Sequence, residues 1–247
     1  MTVVILQPSY LPWLGFFDLM DKADVFVILD DVQYTVRDWR SRNRIKTPDG
    51  VLWLTVPVHS KGHRGSLIKD IKVDYTQLWQ RKYIKTLESF YKRAKFFEEI
   101  VELAHSIYRK HYTFLIDIDM DFILKIKEYL SLMTTIVFSS NLPSSGGKDE
   151  KLLSICKYLN ATQYMSGNTA KEYLRETIFS EEGITVEWHN YVHPFYRQLW
   201  LKEQEFISHL SVIDLLFNHG PDSRAILTGR KVIEKPEGIR IRHADNV

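Results

Sequence analysis

The alternation of short buried strands with helical patterns constrains the fold of this chain more than any other feature. The apolar run Val3–Leu6 predicts a buried strand, Gly15–Lys22 has the character of a helix, and Val25–Leu29 predicts a second buried strand. A strand, a short helix and a strand in close succession form a βαβ unit, whose strands are parallel and whose crossover is right-handed. The sequence therefore predicts an α/β fold that begins with its first residues.

The same alternation returns in the second half of the chain, after a stretch that is helical only. A four-residue spacing of apolar residues, beginning with Trp79, Tyr83 and Leu87, predicts helices over residues 76–132. A further strand is predicted over Leu52–Val58. The later predicted elements are the strands Ile136–Ser139, Gln163–Ser166 and Ile184–Trp188 and the helices Lys148–Leu159, Thr169–Arg175 and Phe206–Phe217.

These elements predict one α/β domain over residues 1–228, with a mostly parallel sheet and helices on both faces. The helical stretch at about 76–132 is an insertion in the middle of this domain. Residues 229–247 form a polar C-terminal tail, which we expect to be mobile or to serve as an interaction arm.

Composition and charge exclude several classes of protein. The 247 residues carry 33 Lys and Arg against 31 Asp and Glu, a balance that argues against a dedicated nucleic-acid-binding domain. The single cysteine, Cys156, excludes an intramolecular disulfide and a cysteine-based metal cage. The N-terminus lacks the basic start of a signal peptide, and no apolar run approaches the roughly 18 residues of a membrane span. We therefore expect a cytoplasmic protein without a membrane span.

Ligands of open parallel sheets bind outside the carboxyl ends of the strands, so the loops after the predicted strands are the candidate sites. The loop after the first strand offers Gln7, Ser9 and Tyr10 as hydrogen-bonding groups and Trp13 as a flat surface for a base or sugar. Gly15 permits a close approach at the start of the following helix. The alternative interpretation of this loop is a rigid turn with buried aromatic side chains.

Other strand ends also carry polar residues. Asp30 and Asp31 follow the second strand, where they can hold Mg²⁺ or a ribose hydroxyl, or else cap a turn. Ser166 and Gly167 end a later strand and face the same predicted crevice. The Ser- and Gly-rich segment before Lys148 suits an anion at a helix N-terminus, although it does not match the P-loop pattern and also fits a flexible loop before a capped helix.

A basic segment over residues 37–46 holds five positive side chains and one negative one. Arginine binds phosphate through two parallel hydrogen bonds, so Arg40, Arg42 and Arg44 are candidate phosphate ligands, with Asn43 beside them. The same pattern fits the solvent face of a strand, or an RNA-facing patch that the near-neutral net charge disfavours.

Familiar catalytic and metal-binding motifs are missing from the chain. It has no Gly-x-Ser-x-Gly elbow, no Gly-x-Gly-x-x-Gly loop and no histidine spacing typical of zinc. We therefore expect no dedicated metal site, and the pattern identifies no catalytic residue.

Several uncommon stretches resemble the WbqC-like protein family, in one order along the chain. They are Gln7–Phe17, Asn43–Ile45, Trp53–Val58, Ser166-Gly167 with Tyr173-Leu174, and Leu210–Asn218. The resemblance extends to about Leu227 and leaves the basic tail outside. It implies a bacterial protein associated with gene clusters for O-antigen and other surface polysaccharides.

The opening strand, loop, helix and acid-ended second strand also look like the start of nucleotidylyl-transferase-like, Rossmann-like folds. Such proteins, of which pantothenate synthetase is one, bind ATP after the first strand and form acyl-adenylates. Their usual His-x-Gly-His motif is absent, since Tyr10–Trp13 occupies the loop.

These observations favour an enzyme that binds a nucleotide or nucleotide sugar and transfers a small group to an aminosugar of O-antigen or another surface polysaccharide. Acylation or amide formation makes it a transferase or an ATP-dependent amide ligase, with ATP or another nucleotide and Mg²⁺ as cofactors. The alternative is a non-catalytic nucleotide-sugar-binding or scaffold protein of the same pathway. Its expected partners are a pathway enzyme or a second copy of the chain, and no nucleic acid is expected.

Overall fold

Contacts divide the chain into two compact units, each assembled from three separate segments. The computed structural model describes residues 1–59, 65–200 and 205–244. The first unit, called the sheet unit here, comprises Met1–Pro8, Asp18–Val32 and Leu132–Val192. The second, called the helical unit, comprises Ser9–Phe17, Gln33–Ser131 and His193–Val247.

Strands and helices are numbered separately in chain order. The strands are β1 Thr2–Leu6, β2 Val25–Ile28, β3 Arg42–Thr47, β4 Gly50–Thr55, β5 Thr135–Phe138, β6 Gln163–Gly167, β7 Thr185–His189, β8 Glu205–Ser208 and β9 Arg240–His243. The α-helices are α1 Leu14–Lys22, α2 Trp79–Tyr91, α3 Phe97–Tyr108, α4 Leu115–Tyr129, α5 Lys148–Tyr158, α6 Glu176–Glu181, α7 Val212–His219 and α8 Ser223–Leu227. Within the ranges that the structure describes, no helix is long and apolar enough to cross a membrane.

The sheet unit is built on five parallel strands in the order β5-β2-β1-β6-β7. β1 and β2 are in register from Val3 opposite Val25 to Leu6 opposite Ile28, as the predicted βαβ unit requires. β1 lies at the centre of the sheet, and its middle residues are buried, which is typical of a parallel strand covered on both faces. The predicted α/β fold with a mostly parallel sheet is confirmed.

One face of this sheet packs against α5 and α6. Val3, Val27 and Tyr164 share a core with Cys156 of α5 and Phe179 of α6. Burial raises the pKa of the Cys156 thiol to about 12. The only cysteine of the chain is therefore a packing residue, because the thiolate is the nucleophilic form.

The helical unit contains the predicted helical insertion, which comprises α2, α3 and α4. It also contains an antiparallel hairpin of β3 and β4, closed where Thr47 pairs with Gly50. Gly50 has a φ of 121°, a left-handed value that favours glycine. β4 therefore starts and ends earlier than the strand predicted over Leu52–Val58, because its register is set by this turn.

The predicted helix Phe206–Phe217 is a strand in its first part. β8 occupies Glu205–Ser208, and His209 has a left-handed φ of 60°, which ends the extended segment. Ser211 then caps α7 by accepting a hydrogen bond from the Ile213 N–H at 3.3 Å. An apolar run of this length fits a helix or a strand until its partner is known. That partner is β9, which lies inside the segment that the sequence predicts to be a tail.

A short 3-10 turn over Asn168–Glu172 replaces most of the helix predicted over Thr169–Arg175. α6 begins only at Glu176. The segment between β6 and β7 therefore contains less α-helix than its sequence predicts.

Candidate functional site

The carboxyl ends of the five parallel strands lie along one edge of the sheet unit. Leu6 lies opposite Ile28, Ile28 lies opposite Phe138, and Gly167 lies opposite His189. The strand order reverses at β1, since β2 lies on one side of it and β6, much later in the chain, on the other. Such a switch point is where ligands bind in open α/β sheets.

Gln7 and Gly167 border the switch point. The Gln7 side chain is partly exposed and makes no hydrogen bond with the part of the chain that the structure describes. Gly167 ends the neighbouring strand, and a Cβ at this position would meet nothing within 4 Å. Ser166 is buried and accepts a hydrogen bond from the Tyr164 hydroxyl at 3.3 Å, so it supports the strand.

Asp30 and Asp31 form hydrogen bonds with the turn that follows β5. Asp30 is buried and accepts hydrogen bonds from the Ser139 hydroxyl at 3.0 Å and from the Ser140 N–H and hydroxyl at 3.0 and 2.7 Å. Asp31 also accepts from Ser139 and forms an ion pair with Lys151 at 2.6 Å. Burial raises the pKa of Asp31, but the hydrogen bonds from Lys151 and Ser139 outweigh it and lower that pKa. Lys151, which the sequence did not single out, is the cation beside the two acids.

The N-terminus of α5 is closed by carboxylates of the protein itself. Glu150 accepts a hydrogen bond from the Gly147 N–H at 3.1 Å, and Asp149 pairs with Arg175 at 2.6 Å. These carboxylates lie where the sequence predicts an anion. Lys148 is exposed and forms no ion pair with any residue of the described ranges, so its ammonium is available to a ligand.

A histidine–carboxylate pair that sequence patterns missed lies at the same edge. His189, the last residue of β7, is buried, and its Nε2 is 2.6 Å from Oδ2 of Asp18 on α1. Lys22, one turn further along α1, places its Nζ 2.6 Å from the same oxygen. Burial raises the pKa of Asp18, but the hydrogen bonds from His189 and Lys22 outweigh it and lower that pKa. No spacing rule connects two residues that are 171 positions apart.

Within the helical unit, Ser9, Tyr10 and Asn43 stabilise the loop after β1. The Ser9 hydroxyl donates to the Trp39 carbonyl at 3.0 Å, and the Asn43 amide donates to the Leu11 carbonyl at 2.6 Å. Tyr10 is fully buried, and its hydroxyl is hydrogen-bonded to that of another tyrosine, Tyr108. The arrangement is that of a rigid turn, in which these polar groups bind the chain itself.

Trp13 and Gly15 form one packing unit. A Cβ on Gly15 would lie 2.4 Å from two ring atoms of Trp13, so the indole needs a glycine beneath it. The indole is also stacked with His209, at 5.4 Å between ring centroids and 17° between planes. The close approach predicted at Gly15 is therefore an approach of Trp13.

Arg42 and Arg44 lie against aromatic rings of the hairpin region. The Arg42 guanidinium carbon is 4.3 Å from the ring centroid of Trp53, and that of Arg44 is 4.8 Å from Trp39 and 5.0 Å from Trp53. Both rings are partly exposed, whereas Arg44 is buried. Cation–π contacts of this kind hold arginine in one orientation while its charge persists.

The remaining basic residues of this segment have polar partners. Arg40 forms an ion pair with Asp38. Lys46 is buried, and its Nζ donates to the Gln198 side chain at 3.0 Å and to the Glu205 carbonyl at 3.2 Å. Burial lowers the pKa of Lys46. β3 is therefore not the solvent-exposed strand that alternating charges also allow.

A five-stranded parallel sheet packed against helices defines an α/β protein. The model of the WbqC-like protein family matches residues 7–226, and the chain belongs to this family. It is 39% identical over 223 residues to an uncharacterized protein of Mycobacterium tuberculosis, covering 90% of this chain and 95% of the relative. No solved structure is significantly similar to the chain.

Proposed function

We propose that this protein is an enzyme that binds a nucleotide or nucleotide sugar at the carboxyl edge of the sheet unit and transfers a small group to an aminosugar. The observation that carries the proposal is the switch point, where the Gln7 amide makes no hydrogen bond with the described residues and Gly167 leaves open space. The transfer is an acylation or amide formation, with ATP as activator. Biosynthesis of O-antigen or another surface polysaccharide in the cytoplasm is the proposed setting.

Lys148 is the proposed phosphate ligand of the sheet unit. It is exposed and has no carboxylate partner in the described ranges, whereas Lys151 is already neutralised by Asp31. In the helical unit, Arg42 keeps its guanidinium against Trp53, where it is available to an anion. Cations that are held in place before the reaction stabilise phosphate charge as it develops.

Mg²⁺ receives no protein ligand in this proposal. In the part of the chain that the structure describes, no three His, Cys, Asp or Glu side chains are placed to hold a metal ion. Asp31 is paired with Lys151, and the oxygens of Asp30 accept hydrogen bonds from Ser139 and Ser140. Mg²⁺ commonly reaches enzymes of this kind with the phosphates of the nucleotide, and we derive no step through it.

The first test is a thermal-shift screen of the purified protein against ATP, CTP, UTP, GTP and dTTP with Mg²⁺ and against nucleotide sugars of each base. A ligand at about 100 times its Kd adds about 2.7 kcal/mol to the free energy of unfolding, which raises the Tm by several degrees. A shift with ATP leads to an assay of pyrophosphate release with carboxylic acids. No shift with any ligand contradicts the proposal.

A pair of glutamine variants locates the binding edge. Gln7→Ala removes an amide at the carboxyl edge, while Gln163→Ala removes one at the amino edge, where β6 begins. We expect Gln7→Ala to abolish the shift and Gln163→Ala to retain it. Equal shifts in both variants exclude the switch point as the site. Binding without turnover of any candidate substrate favours the non-catalytic binding protein instead.

A further inference from the structure

The Asp18–His189 pair leaves one imidazole nitrogen without a hydrogen-bond partner among the residues that the structure describes. Nε2 of His189 is bonded to Asp18 at 2.6 Å, while Nδ1 makes no hydrogen bond with the residues that the structure describes. The ring stacks on Tyr191, at 5.4 Å between centroids. His189 also ends β7 directly opposite Gly167, which places it at the edge where the ligand is proposed to bind.

Lys22 and His189 contact the same carboxylate oxygen of Asp18, each at 2.6 Å. The imidazole itself contacts Asp18 of α1 and the ring of Tyr191 in the segment after β7.

An ionised Asp18 also selects the tautomer. A carboxylate accepts but does not donate, so the hydrogen bond requires a proton on Nε2 of His189, and the neutral ring then has its lone pair on Nδ1. This is the arrangement of an oriented base, in which a carboxylate holds one nitrogen and the other is available to a substrate.

We propose that His189 is the general base of the group transfer and that Asp18 is the positioning residue that orients its ring. The proposal rests on the proposed function. The amine nitrogen of the aminosugar forms a bond to the acyl carbon of an acyl-adenylate, which is made from ATP and a carboxylic acid. The bond from that carbon to the phosphate oxygen breaks, and its electron pair leaves with the oxygen. The proton that the amine loses goes to Nδ1 of His189, and Asp18 stabilises the imidazolium that results.

The first experiment is ¹⁵N NMR of the histidine-labelled wild-type protein, which requires no ligand. The His189 signals are assigned by their loss in His189→Gln. A general base at this position requires a protonated Nε2 and an unprotonated Nδ1 near neutral pH. Two protonated nitrogens under the same conditions mean a structural ion pair and overturn the proposal. Asp18→Asn should change this signature, because an amide can also donate to Nε2 and so allows the other tautomer.

The second experiment separates catalysis from binding. We expect His189→Gln to keep the nucleotide-induced thermal shift and to lower kcat by about 10²–10⁴-fold, the usual contribution of a general base. The matched control is His105→Gln on α3 of the helical unit, because the Nε2 of His105 is also close to a carboxylate oxygen, at 3.1 Å from Glu88. This control should retain wild-type kcat.

The outcomes distinguish the two proposals. If the wild type turns over substrate and His189→Gln keeps the same kcat, His189 is not the general base and the proposed function is unaffected. A wild type that neither binds nucleotide nor turns over substrate refutes the proposed function and the base with it. If His189→Gln does not fold, the wild-type NMR signature and the kcat of Asp18→Asn decide, and an unchanged kcat there refutes the role of Asp18.

Discussion

A single glycine permits Trp13 to lie against the start of α1. Alanine is the better helix former by about 1 kcal/mol, so propensity alone predicts that Gly15→Ala stabilises the protein. The added Cβ would lie 2.4 Å from two atoms of a rigid indole, which has to move. We expect Gly15→Ala to lower the free energy of unfolding by about 1–3 kcal/mol, measured by urea denaturation.

Gly167→Ala is the matched control for this substitution. Gly167 has a φ of −69°, which any residue adopts, and a Cβ there meets nothing within 4 Å. We expect a change within about 0.5 kcal/mol. An increased free energy of unfolding in Gly15→Ala would show that the Trp13 indole does not pack against Gly15.

Asp119 on α4 is a carboxyl group in an apolar setting. It is fully buried, and neither carboxyl oxygen has a hydrogen-bond partner in the described ranges. Burial raises its pKa well above the usual value, although the charge of Arg40 opposes this. The group therefore keeps its proton to a higher pH than an exposed aspartate does.

This raised pKa has a consequence for the pH dependence of stability. The contribution of Asp119 is fully present below its unfolded pKa and is lost as the pH rises through the folded pKa, because the folded state binds the proton more tightly. Asp119→Asn cannot ionise. The free energy of unfolding of Asp119→Asn relative to wild type should therefore increase in urea denaturation as the pH rises above about 4. A difference that is constant with pH would contradict the protonated carboxyl.

At the scale of elements, one buried carboxylate joins three parts of the helical unit. Asp214 of α7 accepts hydrogen bonds from the hydroxyls of Tyr91 on α2 at 2.6 Å and Tyr196 at 2.9 Å. The Tyr91 hydroxyl in turn accepts from the Lys46 N–H of β3 at 3.1 Å. Since all of these groups are buried, each lost partner leaves an unpaired polar group.

Tyr91→Phe tests this network. It removes the donor to Asp214 and the acceptor of the Lys46 N–H together, and we expect it to lower the free energy of unfolding by about 1–3 kcal/mol in urea denaturation. Tyr158→Phe is the control, because that tyrosine is 55% exposed. Equal effects of the two variants would mean that the network contributes nothing.

The C-terminal strand makes a separate prediction for hydrogen exchange. β9 pairs in parallel with β8, and Ala244 packs with Ile207 and Leu210. We expect the amides of residues 240–243 to exchange more slowly than those of residues 231–235, which lie outside helices and strands. Equally rapid exchange in residues 231–235 and 240–243 would contradict the pairing of β9 with β8. It would support the mobile tail that the polar composition predicts.

At the scale of the whole molecule, the sequence predicts the strands of the sheet better than it predicts which groups its polar side chains bind. Apolar runs such as Val25–Leu29 and the rule for carboxyl ends placed Gln7, Asp31 and Gly167 at one edge, which the strand register reproduces. Whether these side chains bind a ligand stays a prediction. Asp31 forms an ion pair with Lys151, which only the packing of α5 could show.

The sequence by itself determined many of the elements of this protein, because apolar periodicity and turn residues act over a few neighbouring positions. It determined the α/β class, the central parallel strands and the helical insertion. Only the tertiary structure decided which polar groups meet, as with Asp18 and His189, 171 positions apart, and with the buried hydroxyl of Tyr10. The physical reason is that the environment of a side chain, and therefore its charge and its available hydrogen bonds, is set by segments distant in the chain.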